Sequence, residues 1–378
     1  MSLKPPVFIS TLDALHAHIP DWLKSQIIAV DTEANSMYAY QTRVCLIQLS
    51  THAADYIIDP FPFETTDLQP LGDLLANPAI EKVFHAAEYD VIGLRRDYNF
   101  VINNIFDTSL AVRLCGFKAF SLNDLLQTYF EITLDKTHQR DDWSERPIPL
   151  ARLLYAQRDT HYLIALRDIL KRQLIETDHW EEAQESFAYL AYAVAKDSSY
   201  DPDAYWKVGR PSALTRREMA ILRELYNWRD TTARRENRPP MKFIGNSVLV
   251  EISRIMPTHL RDLANIHGLA EWQVRVYGDE MLKAIMRGQR VTLPHPPAET
   301  PLDPLLVEHY TQLQNWRREK AAARDLDASL IIPRQSLWEL ARLKPRTLEE
   351  MGVIAGFGPW RVRQYGEELL ALMIRWKR

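Results

Sequence analysis

Cysteine is scarce in this 378-residue chain, with only Cys45 and Cys115 present. Two thiols in separate apolar runs build neither a disulfide framework nor a zinc site, and they fit a reducing cytoplasm. Long apolar runs are missing as well. No window approaches the ~18 uninterrupted apolar residues of a membrane span, and the opening MSLKPPVFIS lacks the apolar stretch of a signal peptide. A soluble, cytoplasmic protein with no membrane partner is therefore expected. A strong excess of one charge is the third thing lacking, since 46 Lys and Arg face 50 Asp and Glu for a net charge of -4.

That balance hides an asymmetry. Residues 1–200 hold 17 Lys and Arg against 28 Asp and Glu, and residues 201–378 hold 29 against 22, so the halves carry -11 and +7. An acidic half suits a multivalent cation site and a basic half suits a polyanion, although solvated faces produce such imbalances too. At 46% hydrophobic the chain can bury a sizeable core. Its length exceeds the ~100–200 residues usual for one domain, so two or three domains are expected.

Between residues 25 and 115, short β-branched or apolar runs alternate with turn residues: IIAVDTEA, VCLIQLS, DYIIDP and KVFHAA, then the helical EYDVIGLRRDY and the run VINNIFD. The first three are joined by short polar links and read as an antiparallel meander. KVFHAA and VINNIF flank a helix and read as parallel strands, which makes the domain α/β with a mixed sheet. From Ser121 the period turns helical, in SLNDLLQTYF, in PLARLLYAQRDTHYLIALRDILKRQL as one long segment, and from Trp180 to Lys196. Past residue 200 nothing reads as a strand. Two proline-bearing breaks, SSYDPDAYWKVGRPS and VTLPHPPAETPLDP, bracket two helical units that repeat one another. Trp228-Arg229 recurs as Trp316-Arg317, and the same offset of 88 carries Glu251, Arg254, Pro257, Gly268, Trp272, Arg275 and Tyr277-Gly278 onto Glu339, Arg342, Pro345, Gly356, Trp360, Arg363 and Tyr365-Gly366. An ungapped run of Trp, Gly and Pro identities marks a duplication. The expected domains are residues 1–200, 211–291 and 302–378.

In IIAVDTEA the apolar run is a buried strand, so Asp31 and Glu33, two residues apart, point to one face. Two carboxylates at one spot repel unless a cation neutralises them, and hard oxygen ligands favour Mg²⁺ or Mn²⁺. A strand ending in a solvated Asp-Thr-Glu turn has the same letters. Asp90 lies near the start of the helix after KVFHAA, where acidic residues also complement the helix dipole, and His85 reads equally well as a satisfied core histidine. Tyr155 and Asp159 stand four apart in LLYAQRDTHYLIAL and share a helix face, an arrangement that packing also produces.

The order of these pieces is more specific than any one of them. With IIAVDTEA, HAAEYD and YAQRD in succession, the chain resembles the DEDD 3′–5′ exonucleases, specifically their tyrosine subclass. The histidine subclass has a His five residues before the last Asp; that position is Leu154 here, and His161 is not its counterpart. LDKTHQRDDWSERPI resembles the loop that RNase D enzymes carry before the third motif, with Lys136, Asp142, Trp143, Arg146 and Pro147 matching. The repeats resemble HRDC domains, helical modules named for helicases and RNase D. A helicase would show a phosphate-cradling G-x-x-x-x-G-K-[ST] loop, which is absent, and no nucleotide cofactor is expected.

The resemblance implies an RNase H-like mixed-sheet exonuclease domain followed by two all-α helical-bundle HRDC domains. It implies two divalent cations, Mg²⁺ or Mn²⁺, with Asp31 bridging both, Glu33 and Asp159 completing the site that activates water, Asp90 serving the second ion and Tyr155 orienting the attacking water. The implied activity is 3′–5′ trimming of RNA, such as tRNA precursors, to nucleoside 5′-monophosphates by a monomer acting on a single-stranded 3′ end. A DNA 3′–5′ exonuclease and a non-catalytic RNA-binding scaffold are the alternatives, because the same acids serve proofreading domains and no residue here plainly reads a 2′-hydroxyl. Unpaired bases stack on aromatic or apolar side chains, and Met37, Tyr38 and Tyr40 are candidates, with loop packing an equal explanation. Further candidate contacts are Lys136 and Arg146 in the matching loop, and Arg216, Arg217, Arg234, Arg235, Arg238 and Lys242 in the most basic stretch of the first repeat, which reads either as a phosphate grip or as a solvated face. Trp228, Trp316, Trp272 and Trp360 read as core.

Overall fold

A computed structural model describes residues 3–194, 200–209, 213–296 and 303–376. The expected domain limits at 211, 302 and 378, Lys196, and parts of both proline-bearing breaks lie outside the described residues. The chain divides into two compact units, one formed by Met1–Ala34, Val44–Ala195 and Pro301–Arg378, the other by Asn35–Arg43 and Lys196–Thr300.

The first unit is built on a six-stranded sheet of β1 (Val7–Ile9), β2 (Ile27–Ala34), β3 (Val44–Ser50), β4 (Asp55–Ile58), β5 (Glu81–Phe84) and β6 (Ile105–Asp107), in the order β1-β4-β3-β2-β5-β6. β2, β3 and β4 form the antiparallel meander that short links permit, while β5 lies parallel to β2 and β6 parallel to β5 across helical crossovers. The three-residue β1, parallel to β4, has too short a run to register in the sequence pattern. Around the sheet lie α1 (Leu12–Lys24), α2 (Gln69–Ala76), α3 (Glu88–Tyr98), α4 (Thr108–Leu114), α5 (Leu122–Phe130), α6 (Leu150–His161), α7 (Leu163–Glu176) and α8 (Trp180–Leu190).

Strand alternation sorts the core. Ile28, Val30, Ile47, Leu49 and Ile58 pack with Trp22, Leu71 and Leu94 of α1, α2 and α3. Ala29, Val83 and Phe106 pack with Leu125, Leu166, Leu170 and Phe187, while Cys45 and Ile57 meet Trp143 and Ala156. Each fully buried Leu, Ile or Phe contributes ~1.5–3 kcal/mol, so both faces of the sheet are firmly covered. β2 is thereby fixed in register, and with it the direction of Asp31 and Glu33.

Two helices differ from their sequence reading. The long segment from residue 149 is two helices, broken at Tyr162. Thr160 there bonds back to the carbonyl of Gln157 and pairs at 2.7 Å with Ser50 of β3, and such back-bonding bends helices. The helix begun at Trp180 stops at Leu190 rather than running to Lys196. Arg95 of α3 donates to the carbonyls of Ala191 and Ala193, holding that stretch in a turn.

The duplication is visible helix by helix. The first repeat has α9 (Tyr205–Val208) before it, then α10 (Arg216–Arg235), α11 (Pro240–Phe243), α12 (Asn246–Ile255), α13 (Leu260–Ala264) and α14 (Glu271–Arg290). The second has α15 (Pro304–Ala323), α16 (Ala328–Ile331), α17 (Arg334–Leu343), α18 (Leu348–Gly352) and α19 (Pro359–Ile374), each starting 88 residues after its counterpart. Gly268 and Gly356 have φ of +84° and +82°, so the paired glycines answer a left-handed backbone position. Trp228 and Trp316 are core, as read. Trp272 is not: it is 42% exposed, with Arg238 5.9 Å above its ring, whereas Trp360 is half-buried.

An alanine at either glycine must adopt the left-handed conformation, at a cost of ~1–2 kcal/mol. Its Cβ would meet Val248 at 3.0 Å in the first repeat but the Ser336 hydroxyl at 2.6 Å in the second. Gly356→Ala should therefore lower the denaturant midpoint more than Gly268→Ala does. The reverse ranking would contradict this account of the repeats.

Candidate metal centre

Asp31 and Glu33 leave the same face of β2, and a register shift between Glu33 and Ala34 marks a bulge where the strand ends at the site. Asp159 reaches them from α6. One carboxylate oxygen from each of Asp31, Glu33 and Asp159 lies within 4.8 Å of the others. Asp90, in the first turn of α3, is buried beside them, and its Oδ1 accepts a 2.5 Å bond from the hydroxyl of Thr32. Thr32 sits between the two acids of β2, so one tripeptide both supplies two carboxylates and orients a third.

Neighbouring elements hold this arrangement from behind. The turn into α3 places Ala86 at φ +62°, and Asp107 at the end of β6 pins it by accepting from the amides of Ala86 (3.3 Å) and Ala87 (2.8 Å) while capping α4 through Leu110 (2.9 Å). His85 pairs with Thr108 at 2.9 Å, the satisfied role that its sequence context allowed. On the other side, Arg152 near the start of α6 donates to Asp141 (2.7 Å), the carbonyl of Asp142 (3.0 Å) and Glu145 (3.0 Å), which ties the preceding loop to the helix that carries Tyr155 and Asp159. Trp143 packs 6.0 Å from the Tyr155 ring, and His138 meets that ring edge-on at 6.0 Å. His161, set aside from the sequence, is bound to Asp55 at 2.8 Å.

The electrostatics follow from crowding acids in a protein surround. Burial raises Asp31 well above the usual carboxylate range and the Asp159 charge raises it further. Glu33 is raised by burial and then by Asp31, Asp159 and Asp90; Asp90 is raised by burial and then by Asp31. Asp159 is pushed up to about 7 by burial and by Asp90. Among the described residues none of the four pairs with a Lys or Arg. Burial and the acids also raise the Tyr155 hydroxyl, so it stays protonated and is available as a donor. Hard, uncompensated oxygen donors in this number fit divalent cations and little else.

The chain matches the 3′–5′ exonuclease family over residues 6–175 and the HRDC domain over residues 218–285 and 308–373. Exosome complex component 10 homolog of Caenorhabditis elegans is 33% identical over 76% of this chain and 33% of its own length. Ribonuclease D of Desulfotalea psychrophila is 32% identical over 78% of this chain and 79% of its own length. The chain belongs to the ribonuclease D family. The crystal structure of Escherichia coli RNase D matches with a TM-score of 0.68 at 23% identity, covering 99% of this chain and 100% of that one. The fold is thus the mixed-sheet exonuclease domain followed by HRDC domains, and exonucleases of this fold use divalent metals. The chain spans less than half the length of the exosome-component relatives.

For this ribonuclease D family member, several residues read as nucleic-acid contacts are occupied otherwise. Arg146 grips Asp59 at 2.7 and 2.8 Å, donates to the carbonyl of Cys45 at 2.8 Å and lies 4.4 Å over Phe61, so it anchors the loop rather than facing substrate. Tyr40 donates to Asp230 at 2.6 Å and lies under Arg234, which makes it a packing residue of the second unit and not an open platform. Arg217 donates to the carbonyls of Gly288 and Val291, and Arg216 to those of Leu293 and Pro294, satisfying carbonyls in the last turn of α14 and just beyond it. Arg235 pairs with Glu236 and Glu280, and Arg238 covers Trp272. Met37 and Tyr38 are about 40% exposed. Lys136 and Lys242 are exposed, with no side-chain bond among the described residues. Thr32 and Asp107 went unnoticed in the sequence. Asp107 before Thr-Ser carries a helix-cap signal, but nothing local reveals its hold on residues 86 and 87.

Because folding raises the Asp159 pKa above its ordinary 3.8 to about 7, the folded state binds the extra proton. Its contribution to stability is complete below 3.8 and is lost as pH rises through about 7. In chelator, Asp159→Asn should match wild type near pH ~4 and exceed it by ~1–3 kcal/mol near pH ~8 in denaturant titrations. No gain at the higher pH would mean that the repulsion is relieved elsewhere.

Proposed function

We propose that the protein is a metal-dependent 3′–5′ exoribonuclease that releases nucleoside 5′-monophosphates from a single-stranded RNA 3′ end. The observation that carries this reading is the convergence of Asp31, Glu33, Asp90 and Asp159 from β2, α3 and α6 with no Lys or Arg ion-paired to any of them among the described residues. A basic residue at the centre would suit anion binding. Its absence suits cations that must themselves meet a phosphodiester.

Two divalent cations, Mg²⁺ or Mn²⁺, would supply an activated water and charge neutralisation at phosphorus when bound. Asp31, Glu33 and Asp159 would hold one, and Asp31 with Asp90 the other. Thr32 keeps Asp90 turned inward. Tyr155, protonated and facing the acids, orients the attacking water through its hydroxyl, and the rings of Trp143 and His138 fix its position. Met37, Tyr38, Lys136 and Lys242, all exposed, stay candidates for substrate contact. The Desulfotalea psychrophila relative is a ribonuclease by name, which supports RNA as the substrate class, and tRNA precursors are the RNA that the sequence resemblance implies. A cytoplasmic monomer divided at residues 1–200, 211–291 and 302–378 completes the reading.

The test is turnover of matched 3′-tailed RNA and DNA by the full chain with Mg²⁺, Mn²⁺ or chelator. RNA should be shortened from its 3′ end with release of 5′-monophosphates, and chelator should stop the reaction. Asp31→Asn should lower kcat by ~10³-fold or more and Tyr155→Phe by ~10–10²-fold, the scale of losing a positioned group in the transition state. Faster turnover of DNA would overturn the RNA assignment, and an active Asp31→Asn would place the chemistry elsewhere.

A further inference from the structure

The two HRDC repeats share their helix starts, yet the ends of their last helices are satisfied in different ways. In the second repeat the first turn of α19 lies against α8. Glu185 of α8 accepts from the amides of Trp360 (3.0 Å) and Arg361 (3.3 Å) and from the Arg361 guanidinium (2.9 Å), which also donates to Ser186 (3.0 Å). One turn back, Glu182 takes two bonds from Arg324, at 2.9 and 2.5 Å, and Arg324 also donates to the Tyr365 hydroxyl at 2.6 Å. Arg363 pairs with Glu181 at the rim. Gly358, at the N-cap of α19, offers no side chain, so Glu185 performs the capping from another domain.

The first repeat keeps Trp272, Arg275 and Tyr277 at the positions of Trp360, Arg363 and Tyr365 but has replaced the residues that meet Glu182 and Glu185. Gln273 stands where Arg361 stands. It keeps the inward bond, Nε2 to the Phe243 carbonyl at 2.6 Å against Arg361 Nε to the Ile331 carbonyl at 2.8 Å, but its carboxamide oxygen accepts from Ala270 at 2.8 Å and caps its own helix. Ala270 replaces Gly358, where a Cβ would lie 2.4 Å from the Glu185 carboxylate. Glu236 replaces Arg324, and Glu271 replaces Pro359. A helix bearing three acids would meet two acids, a blocked approach and an already satisfied helix end.

We propose that the acidic face of α8, formed by Glu181, Glu182 and Glu185, is a selective receptor for the second HRDC repeat, and that residues 324, 358, 359 and 361 distinguish that repeat from the first. Selectivity comes from rejection. Glu182 is fully buried and Glu185 nearly so, and a buried carboxylate that loses its cation costs far more than the pair contributes net. The docked repeat therefore acts as a brace on the exonuclease domain, and its arginines at this face are committed to protein rather than to a polyanion. This inference does not depend on the catalytic reading.

The test is hydrogen–deuterium exchange on the full chain carrying first-repeat residues in the second repeat, Arg324→Glu, Gly358→Ala and Arg361→Gln. Amides of α8 and the first turn of α19 should exchange at least about tenfold faster, while α17 inside the repeat and α10 and α12 of the first repeat keep their protection. Unchanged protection of α8 would overturn the proposal. Should the triple variant unfold the repeat itself, with α17 exchanging as well, the charge swap decides. Glu182→Arg and Arg324→Glu should each expose α8, and the double variant should recover most of the lost protection. A double variant no better than the singles overturns charge recognition.

Discussion

Carboxylates gathered at one point repel one another, and the architecture of the exonuclease domain can be understood as the means of holding four of them together regardless. At an effective dielectric of ~20, two unit charges ~4 Å apart oppose each other by ~4 kcal/mol, so acids on mobile segments would separate. Here they stand on rigid parts: two on a strand inside the sheet, one in the first turn of α3 and one on α6. The restraints lie one layer further out. Asp107 holds the turn before Asp90, Arg152 and Arg146 hold the loop before Asp159, and Thr32 aligns Asp90 directly. The cations of the domain are thus used for anchoring around the site and kept out of it, which preserves its demand for a metal.

What was legible in the sequence was local. Spacing of two on a strand and four on a helix put Asp31 with Glu33 and Tyr155 with Asp159, because side-chain direction repeats with backbone period. The meander and the parallel pair followed from link lengths. What was missed depends on partners far along the chain. Arg146 finds Asp59 87 residues away, and Thr160 meets Ser50 110 residues away, breaking a helix whose own periodicity is continuous. Thr32 looks like a spacer between acids until Asp90, 58 residues on, is brought to it.

The repeats sharpen the same lesson. Trp272 and Trp360 occupy one position in one fold, and sequence periodicity assigns them one environment. Each carries an arginine over its ring and a tyrosine at its edge, but Trp360 also lies where α8 meets the second repeat, with Glu185 accepting from its amide, whereas Trp272 is 42% exposed. Duplication conserved the internal bond from residue 273 or 361 to the carbonyl of Phe243 or Ile331. Divergence acted on the outer atoms of those same side chains, so a repeat keeps its fold while its neighbours change.

The order in which the chain is made gives the acidic helix another significance. Glu185 precedes its partner Arg361 by 176 residues. At ~5–20 residues per second of synthesis, the residues of the α8 receptor exist for roughly nine to thirty-five seconds before the segment that covers them. An apolar receptor left open for that interval would invite association between nascent chains. Carboxylates remain hydrated and mutually repulsive until the arginines arrive. A docking face written in charge is thereby its own protection during assembly, which oil-like surfaces joining sequence-distant segments do not have.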